Sequence, residues 1–322
     1  MSKGSFTVSL DFELFWGIYG HKDLSEYKDN ISGGIEAISM LLALFKKYNI
    51  HATWATVGFL MAEGFSEASE YVPNSLPAYK NDGINTYRLL QQNDKNLSQF
   101  LFAPSKLREI SATEGQEIAT HTFSHYYCRE EGQTIEQFEE DIKTALKIAS
   151  DKGYKLETAV FPKNLYTKEY VEVLKKLGFK AFRGLENKWL YEKENSFLYK
   201  VLRLLDTYFP ITGKTCYLPE DDNGIIKLSG SMMYRPYFKP LFFLERLKLH
   251  RIKRQMKYAA VNNCNFHLWW HPHNIGVKTD FHLKQLEEIF IYYNKLATKY
   301  GMESLNMSEL VQQSHEKVKC SG

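Results

Sequence analysis

The sequence predicts an α/β fold in which parallel strands alternate with crossover helices and close into a barrel. Short β-like runs are separated by amphipathic helical patterns along most of the chain. Such alternation is typical of parallel sheets, either a barrel or an open doubly wound sheet. No glycine-rich phosphate loop follows the first strand, which disfavours a nucleotide-binding open sheet. We therefore expect a barrel.

Each element is predicted from its own pattern. The strands are runs rich in apolar and β-branched residues, at 6–10, 51–57, 117–120, 158–161, 180–182 and 265–270. Helices are predicted where apolar residues recur on one face, at 35–48, 135–149 and 168–177. Polar, aromatic and proline-bearing regions at about 74–106 and 185–258 interrupt the alternation. We interpret both as long insertions in a single domain spanning 1–322.

Composition limits the class of protein. Of 322 residues 44% are hydrophobic, which is typical of a globular chain, and no run of about eighteen apolar residues could span a bilayer. The first residues lack the apolar region of a secretory signal, and the four cysteines are scattered without a CxxC spacing. We therefore expect a soluble protein of the cytoplasm. A net charge of only +3 argues against nucleic acid as a partner.

Polar side chains follow four of the predicted strands at the point where each strand ends. They are Asp11 and Glu13 after the first strand, His121 and His125 after the third, Lys163 and Asn164 after the fourth, and His271 and His273 after the last. The C-terminal ends of barrel strands face one mouth, so we expect these side chains to converge on a single site.

The residue types at this mouth predict a hydrolytic metal site. Hydrolytic zinc commonly keeps two histidines and one carboxylate as ligands and leaves a position for water. His121 and His125, four residues apart, can reach one ion from a helical turn or a tight loop, and one acid of the first strand completes the set. Asp11 and Glu13 are two apart on a strand, so their side chains point in the same direction. The acid that does not bind the metal can therefore act as general base beside it.

Three segments together resemble a known family. They are SLDFE at 9–13, ATWATVG at 52–58 and GQEIATHTFSH at 115–125. In order and spacing they resemble the polysaccharide deacetylase (NodB-homology) family, similar to carbohydrate esterase family 4. The resemblance runs from about residue 5 to 183 and resumes at about 265–274. The segment that carries the two histidines is its most specific part.

The resemblance implies a distorted (β/α)7 TIM-like barrel that binds a divalent metal, with zinc expected, and hydrolyses N-acetyl or O-acetyl groups on sugars. By position, Asp11 would be the general base, and Glu13, His121 and His125 the metal ligands. His271 would be the general acid, with His273 as a competitor. The family's Arg-x-Pro-Tyr segment corresponds to FPKNLY at 161–166, so either Lys163 or Arg183 would orient the base.

Other positions are candidates for binding. Trp16 and Trp54, near strand ends, could stack on a pyranose ring, and Asn164 and His273 could contact the substrate. The basic amphipathic segment 245–257 is either a solvated helix face or a dock for an anionic partner. Such a partner would be a nucleotide-linked or lipid-linked sugar, or the inner face of a membrane, to which the protein would bind peripherally.

Three functions are consistent with these residues. The leading hypothesis is a metal-dependent deacetylase that removes an acetyl group, N-acetyl before O-acetyl, from a sugar or glycan precursor. A second is hydrolysis of another C–N bond in a small amide or ureide. A third is a non-catalytic, metal-stabilised glycan-binding barrel, which two departures from the family's usual residues, Glu13 and Lys163, keep open.

Overall fold

The computed structural model describes residues 3–184, 190 and 197–320, with side chains as far as residue 314. Ten strands lie in one sheet: β1 Ser5–Phe12, β2 Ala52–Thr56, β3 Gln116–Thr120, β4 Thr158–Val160, β5 Ala181–Gly184, β6 Glu220–Asp222, β7 Ile225–Ser229, β8 Met232–Met233, β9 Asn265–Trp270 and β10 Glu303–Ser304. The helices are α1 Leu24–Tyr48, α2 Phe65–Glu70, α3 Thr86–Gln92, α4 Ser98–Leu101, α5 Pro104–Ser111, α6 Ile135–Asp151, α7 Lys168–Lys176, α8 Phe197–Leu205, α9 Glu245–Asn262, α10 Thr279–Tyr300 and α11 Met307–Cys320.

The sheet is parallel except at one edge. Its order is β6-β7-β5-β4-β3-β2-β1-β9-β8, with β10 beside the start of β1. Of these ten strands in the described residues, only β6 runs antiparallel to its neighbour. The central strands are consecutive in the chain, and helices connect them. This is the arrangement that the alternation of strand and helix patterns predicts.

The two ends of this order are joined by one stretch of chain. In the segment 225–233, β7 pairs with β5 and β8 pairs with β9. Between them the Gly230 N–H donates to Gly184 O (3.3 Å) and the Ser231 N–H donates to His267 O (2.9 Å). The segment 225–233 therefore fills one strand position of the barrel. Its first part pairs with β5 and its second part pairs with β9. With β1 to β5 and β9 it makes seven positions, and the predicted distorted barrel is confirmed.

The six predicted strands are β1 to β5 and β9. The segment 225–233 was missed because its apolar run is short and lies in a polar region. It belongs to the predicted insertion 185–258, which therefore holds barrel elements as well as connections. Residues 185–189 and 191–196 of that insertion lie outside the described residues, and the predicted insertion at 74–106 holds α3 and α4. The division into one domain with two insertions stays a prediction.

The barrel has an apolar outside and a largely polar inside. Alternate residues of β1, such as Phe6 and Leu10, belong to the core that the surrounding helices cover. The residues between them face inward, where Thr7 and Ser9 hydrogen-bond with side chains of β9. Helix α11 packs at the N-terminal ends of the strands, since the Met307 N–H donates to Thr53 Oγ1. The opposite end of the barrel stays available for a site.

Among the described helices, none is both long and apolar enough to cross a membrane. The predicted basic helix at 245–257 lies within α9, which ends in left-handed backbone at Asn263. Its inner face is apolar, with Leu249, Ile252 and Met256 buried against the barrel.

Candidate active site

The C-terminal ends of several strands bring charged and imidazole side chains together at one mouth of the barrel. Asp11 and Glu13, at the end of β1, are both buried. His271, which follows β9, lies near both: its Nε2 is 3.7 Å from Asp11 Oδ2 and 3.6 Å from Glu13 Oε1. The other Glu13 oxygen, Oε2, faces the two histidines of the loop after β3, His121 and His125.

Arg183, at the end of β5, binds Asp11 through both of its terminal nitrogens. Nη1 donates to Asp11 Oδ1 (2.6 Å) and Nη2 to Asp11 Oδ2 (2.7 Å), a bidentate pair with 1% and 4% of the two side chains exposed. Asn164 Oδ1 accepts from Nε and Nη2, and Ser9 Oγ accepts from Nη1. Burial would raise the pKa of Asp11, but the guanidinium charge outweighs it and holds that pKa below its ordinary value. Asp11 is therefore an oriented, ionised carboxylate.

The second acid, Glu13, lies against two imidazoles whose positions fit ligands of one cation. Its Oε2 is 3.4 Å from His121 Nε2 and 3.1 Å from His125 Nε2. Bonds of about 2.0–2.1 Å to one zinc ion would separate tetrahedral ligand atoms by roughly 3.4 Å. The ligand atoms of the three residues lie within 4.8 Å of one another.

The hydrogen bonding of His121 supports this assignment. His121 Nδ1 is 2.8 Å from Val160 O, and because a carbonyl oxygen only accepts, Nδ1 carries the proton. In the neutral ring the Nε2 lone pair then points toward the Glu13 carboxylate, and Nε2 has no hydrogen-bond partner among the described residues. Two electron-rich atoms facing each other in a buried site call for a cation between them. Burial also lowers the pKa of His125, which favours the neutral, ligating form.

The loop that carries both histidines is not helical. Thr122 and His125 adopt positive φ angles of 65° and 59°, which bend the chain so that both rings reach Glu13. Backbone bonds hold this shape, because the N–H groups of Gly58 and Phe59 donate to Thr122 O and Phe123 O. A Cβ at Gly58 would lie 2.9 Å from Phe123 Cα, so only glycine allows this close approach.

A buried acid of α6, Asp141, anchors the same loop. Its Oδ1 accepts from the Phe123 N–H (2.7 Å), and its Oδ2 from the Ser124 N–H, the Ser124 hydroxyl and the Tyr87 hydroxyl. Burial raises the pKa of Asp141 to about 6 despite these donors. The Asp141 carboxylate thus holds the backbone between the two histidines in place.

His271 is the most exposed member of the group, and a neutral amide orients it. Its side chain is 20% exposed, against 4% for Asp11 and 6% for Glu13, so the mouth opens on its side. Its Nδ1 is 3.1 Å from Asn274 Oδ1, an acceptor, so Nδ1–H is the donor. Its Nε2 then faces the two acids.

His273 stacks on His271, with ring centroids 4.9 Å apart. Burial, with the nearby His271, lowers the pKa of His273 to about 3.

Several predicted binding residues lie elsewhere. Trp16 is fully buried, stacks on Phe59 and donates its indole N–H to Leu101 O, and Trp54 is fully buried and donates to Gln116 Oε1. The prediction that they stack on a sugar is wrong, because both rings lie inside the apolar core. Both residues lie near strand ends, and this position suggested exposure. A position near a strand end does not determine whether the side chain points toward the covering helices or toward the mouth.

Of the two residues predicted to orient the base, only one reaches it. Lys163 Nζ lies 4.3 Å from the centre of the Tyr127 ring and 3.8 Å from Glu130 Oε1, and no hydrogen bond or ion pair joins it to Asp11 within the described chain. Asn164 binds Arg183, and His273 is 4% exposed beneath His271. The burial of His273 argues against its predicted substrate contact, whereas Asn164 is partly exposed and its predicted substrate contact stays a prediction.

Sequence reasoning missed three residues that position the group: Asp141, Asn274 and Ser9. Asp141 carried a usable signal, since it interrupts the apolar face of α6 between Phe138 and Ile142. Ser9 links Arg183 to His267 Nε2, 2.8 Å from its hydroxyl, inside the barrel. Nothing local in the sequence distinguishes Ser9 or Asn274 from other polar residues near strand ends.

The central part of the chain is similar to known proteins. Residues 32–182 match the family model described as Polysaccharide deacetylase. This part of the chain is similar to the polysaccharide deacetylase family. The matched segment includes His121 and His125, whereas Asp11, Glu13, Arg183 and His271 lie outside it. A comparison with curated proteins gives no match.

Solved structures with the same fold include two proteins assigned as polysaccharide deacetylases. The one from Mycobacterium smegmatis is 12% identical, with a TM-score of 0.61 over 98% of this chain and 92% of that one. The one from Pseudomonas aeruginosa is 13% identical, with a TM-score of 0.57 over 97% and 90%. The allantoinase PuuE is also similar, with 13% identity and a TM-score of 0.56 over 97% and 89%. At these identities the likeness shows the fold alone.

Proposed function

We propose that this chain is a metal-dependent hydrolase that removes an acetyl group from a sugar or glycan precursor, with N-acetyl substrates preferred. The observation that carries the proposal is one constellation: Glu13, His121 and His125 around a common point, beside an Asp11 held by Arg183 and a His271 facing both acids. A hydrolysis needs a cation site, a base and an acid within reach of one another, and this mouth offers all three.

Glu13, His121 and His125 would hold the divalent metal, with zinc favoured by the two imidazoles and one carboxylate. When bound, the metal would supply a Lewis acid for the acetyl carbonyl and lower the pKa of a water molecule. The Val160 carbonyl fixes the His121 tautomer that presents Nε2, and Asp141 fixes the loop between the histidines. Such supporting bonds commonly tune metal affinity.

Asp11 would accept the proton of the attacking water. Arg183 keeps this carboxylate ionised and fixes its plane, while each oxygen retains a lone pair for the water. His271 Nε2, oriented by Asn274, would then protonate the leaving group. An amine is a poor leaving group unless it is protonated, so a positioned acid favours N-acetyl substrates. Because His271 is partly exposed, the sugar would enter from its side.

The test is acetate release by the zinc-loaded chain from a panel of N-acetylated sugars, O-acetylated sugars and small amides or ureides. We expect acetate from N-acetylated sugars. Asp11→Asn should lower turnover by about 10²–10⁴-fold, the usual contribution of a general base. Its metal content, measured by elemental analysis, should not change.

Other outcomes identify the competing functions. Cleavage of amides or ureides without acetate release from any sugar would favour hydrolysis of another C–N bond. Sugar binding without turnover, unchanged in Asp11→Asn, would favour a non-catalytic glycan-binding barrel. Either result would contradict the deacetylase proposal.

A further inference from the structure

The exposed apolar side chains of this protein are concentrated in one part of the chain. Thirteen large apolar residues are exposed among the described residues, and nine of them lie between 197 and 247: Phe197, Leu198, Phe209, Ile211, Leu218, Phe238, Phe242, Phe243 and Leu247. Isolated exposed apolar residues are ordinary, but a concentration of them marks a surface that binds something.

Two elements present most of this apolar surface. Seven of the nine residues of α8 are apolar or aromatic, and none of the nine is buried. Phe242 and Phe243 are 62% and 63% exposed in the 3₁₀ turn Lys239–Leu244, which leads directly into α9. Helix α8 is linked to α9 through Asp206, which follows it and pairs with the buried Arg251 (3.0 Å). We call this region, residues 197–258, the 197–258 surface.

The 197–258 surface is also strongly basic. Its sequence has twelve Lys and Arg against five Asp and Glu, seven net positive charges in a chain whose total is +3. On α9, Leu247, His250, Arg254 and Lys257 are exposed along one side of the helix. No ion pair involves Arg254 or Lys257 within the described part of the chain, whereas Lys253 pairs with Glu288 (3.0 Å). Exposed cationic groups thus continue along α9 from the turn that carries Phe242 and Phe243.

A cavity opens within this surface. It has a volume of about 510 Å³ and lies between the turn after α8 and α9. Lys214, His250 and Arg254 line it together with the exposed Phe209 and Leu247. Arg251 Nε is buried there without a hydrogen-bond partner in the described structure. The mixture of cationic and apolar walls suits a phosphate group that carries apolar chains.

We propose that the 197–258 surface binds an anionic lipid bilayer, with Phe242 and Phe243 entering the interface and the basic side chains contacting headgroup phosphates. Exposed aromatic residues beside lysine and arginine are the combination that binds such interfaces. A second copy of the chain is a poorer occupant, because a symmetric contact would bring two basic patches together, each with Arg254 and Lys257 exposed. The binding needs no substrate, so its test does not depend on the proposed hydrolysis.

The experiment is co-sedimentation of the full chain with vesicles of phosphatidylcholine alone, or with about one part phosphatidylglycerol in four. We expect binding to the anionic vesicles only, and weakening as salt screens the charges. Binding equal on both vesicle types, or none to either, overturns the proposal.

Two variant pairs test the two components separately. Arg254→Gln with Lys257→Gln should weaken binding by about 30-fold, since each basic residue near such a surface contributes about 1 kcal/mol. Phe242→Ser with Phe243→Ser should weaken it at least about tenfold by removing the inserted rings. Both pairs replace exposed side chains, so each should unfold at the wild-type temperature.

Matched controls use exposed residues of two other helices, α1 and α10. Lys28→Gln with Lys284→Gln removes two charges, and Met40→Ser with Ile291→Ser removes two apolar side chains. Both controls should bind anionic vesicles as the wild type does. If the controls weaken binding as much as the paired variants, attraction is general to the molecule and the proposal fails. Self-association that Phe242→Ser with Phe243→Ser abolishes, without vesicle binding, would assign the surface to a second copy instead.

Discussion

Arg183 and Lys163 differ in how well each can orient the Asp11 carboxylate. The guanidinium group makes two parallel hydrogen bonds to the carboxylate and stacks on Trp269, with its central carbon 4.5 Å from the ring centre. A lysine ammonium at position 183 would keep the charge but lose the fixed plane. We expect Arg183→Lys to lower kcat by about 10–100-fold, a part of what a general base contributes. Metal content should be unchanged.

Lys163→Gln is the matched comparison, since Lys163 contacts Tyr127 and Glu130 instead of Asp11. Its kcat should stay within about twofold of the wild type, because an exposed or half-buried side chain away from the base contributes little. A larger loss in Lys163→Gln than in Arg183→Lys would mean that the orienting role belongs to Lys163.

At the scale of elements, α6 controls the histidine loop through Asp141. Asp141→Asn would turn an amide N–H₂ toward donors that need an acceptor, so we expect the free energy of unfolding to fall by about 1–3 kcal/mol. Zinc affinity should fall about 10–100-fold, as for other groups that support metal ligands. Urea unfolding and a zinc competition titration measure the two effects.

Asp151→Asn is the control on the same helix. Asp151 is exposed and accepts only from the Tyr71 hydroxyl among the described residues. Its replacement should change stability by less than about 0.5 kcal/mol and leave zinc affinity intact. Equal zinc affinity in Asp141→Asn and the wild type would contradict the anchoring role.

Helix α11 is tied to the start of β2 by a pH-sensitive pair. His51 Nδ1 lies 2.8 Å from Glu309 Oε2, and this hydrogen bond raises the pKa of His51. A raised pKa means that the stabilisation is fully present below the ordinary histidine value of about 6.5 and is lost as pH rises through the higher folded value. His51→Gln should therefore lower the free energy of unfolding by more at pH 6 than at pH 9, and the difference should be about 0.5–1 kcal/mol.

Urea unfolding of both proteins at the two pH values measures this difference. His250→Gln, which replaces an exposed histidine of α9, should show no such pH dependence. An equal cost of His51→Gln at pH 6 and pH 9 would mean that the pair does not carry a charge-dependent stabilisation.

At the scale of the whole molecule, the barrel and most of its mouth follow from local sequence. Strand periodicity places Asp11 and Glu13, and the i,i+4 spacing places His121 and His125. What local patterns cannot supply is which residues long-range packing brings against them. Arg183 is 172 residues from Asp11 in the chain and meets it only when the barrel closes. Trp16 and Trp54 were misplaced for the same reason, since helix packing decides which side of a strand end is covered.

A bound metal would join β1 to the loop after β3, so it should stabilise the entire fold. A ligand that binds only the folded state adds about 2.7 kcal/mol at 100 times its dissociation constant. We expect zinc to raise Tm in the wild type and in Asp11→Asn, whose ligands are intact. His125→Gln, which lacks one of the proposed ligands, should show little rise. Equal shifts in all three proteins would place the stabilising zinc elsewhere.

The most direct measurement is an anomalous difference map from crystals of the zinc-loaded protein. The account predicts a single strong peak at about 2.0–2.2 Å from Glu13 Oε2, His121 Nε2 and His125 Nε2, with Asp11 still held by Arg183 beside it. No peak at this mouth under saturating zinc, or histidine rings turned away from Glu13, would contradict it.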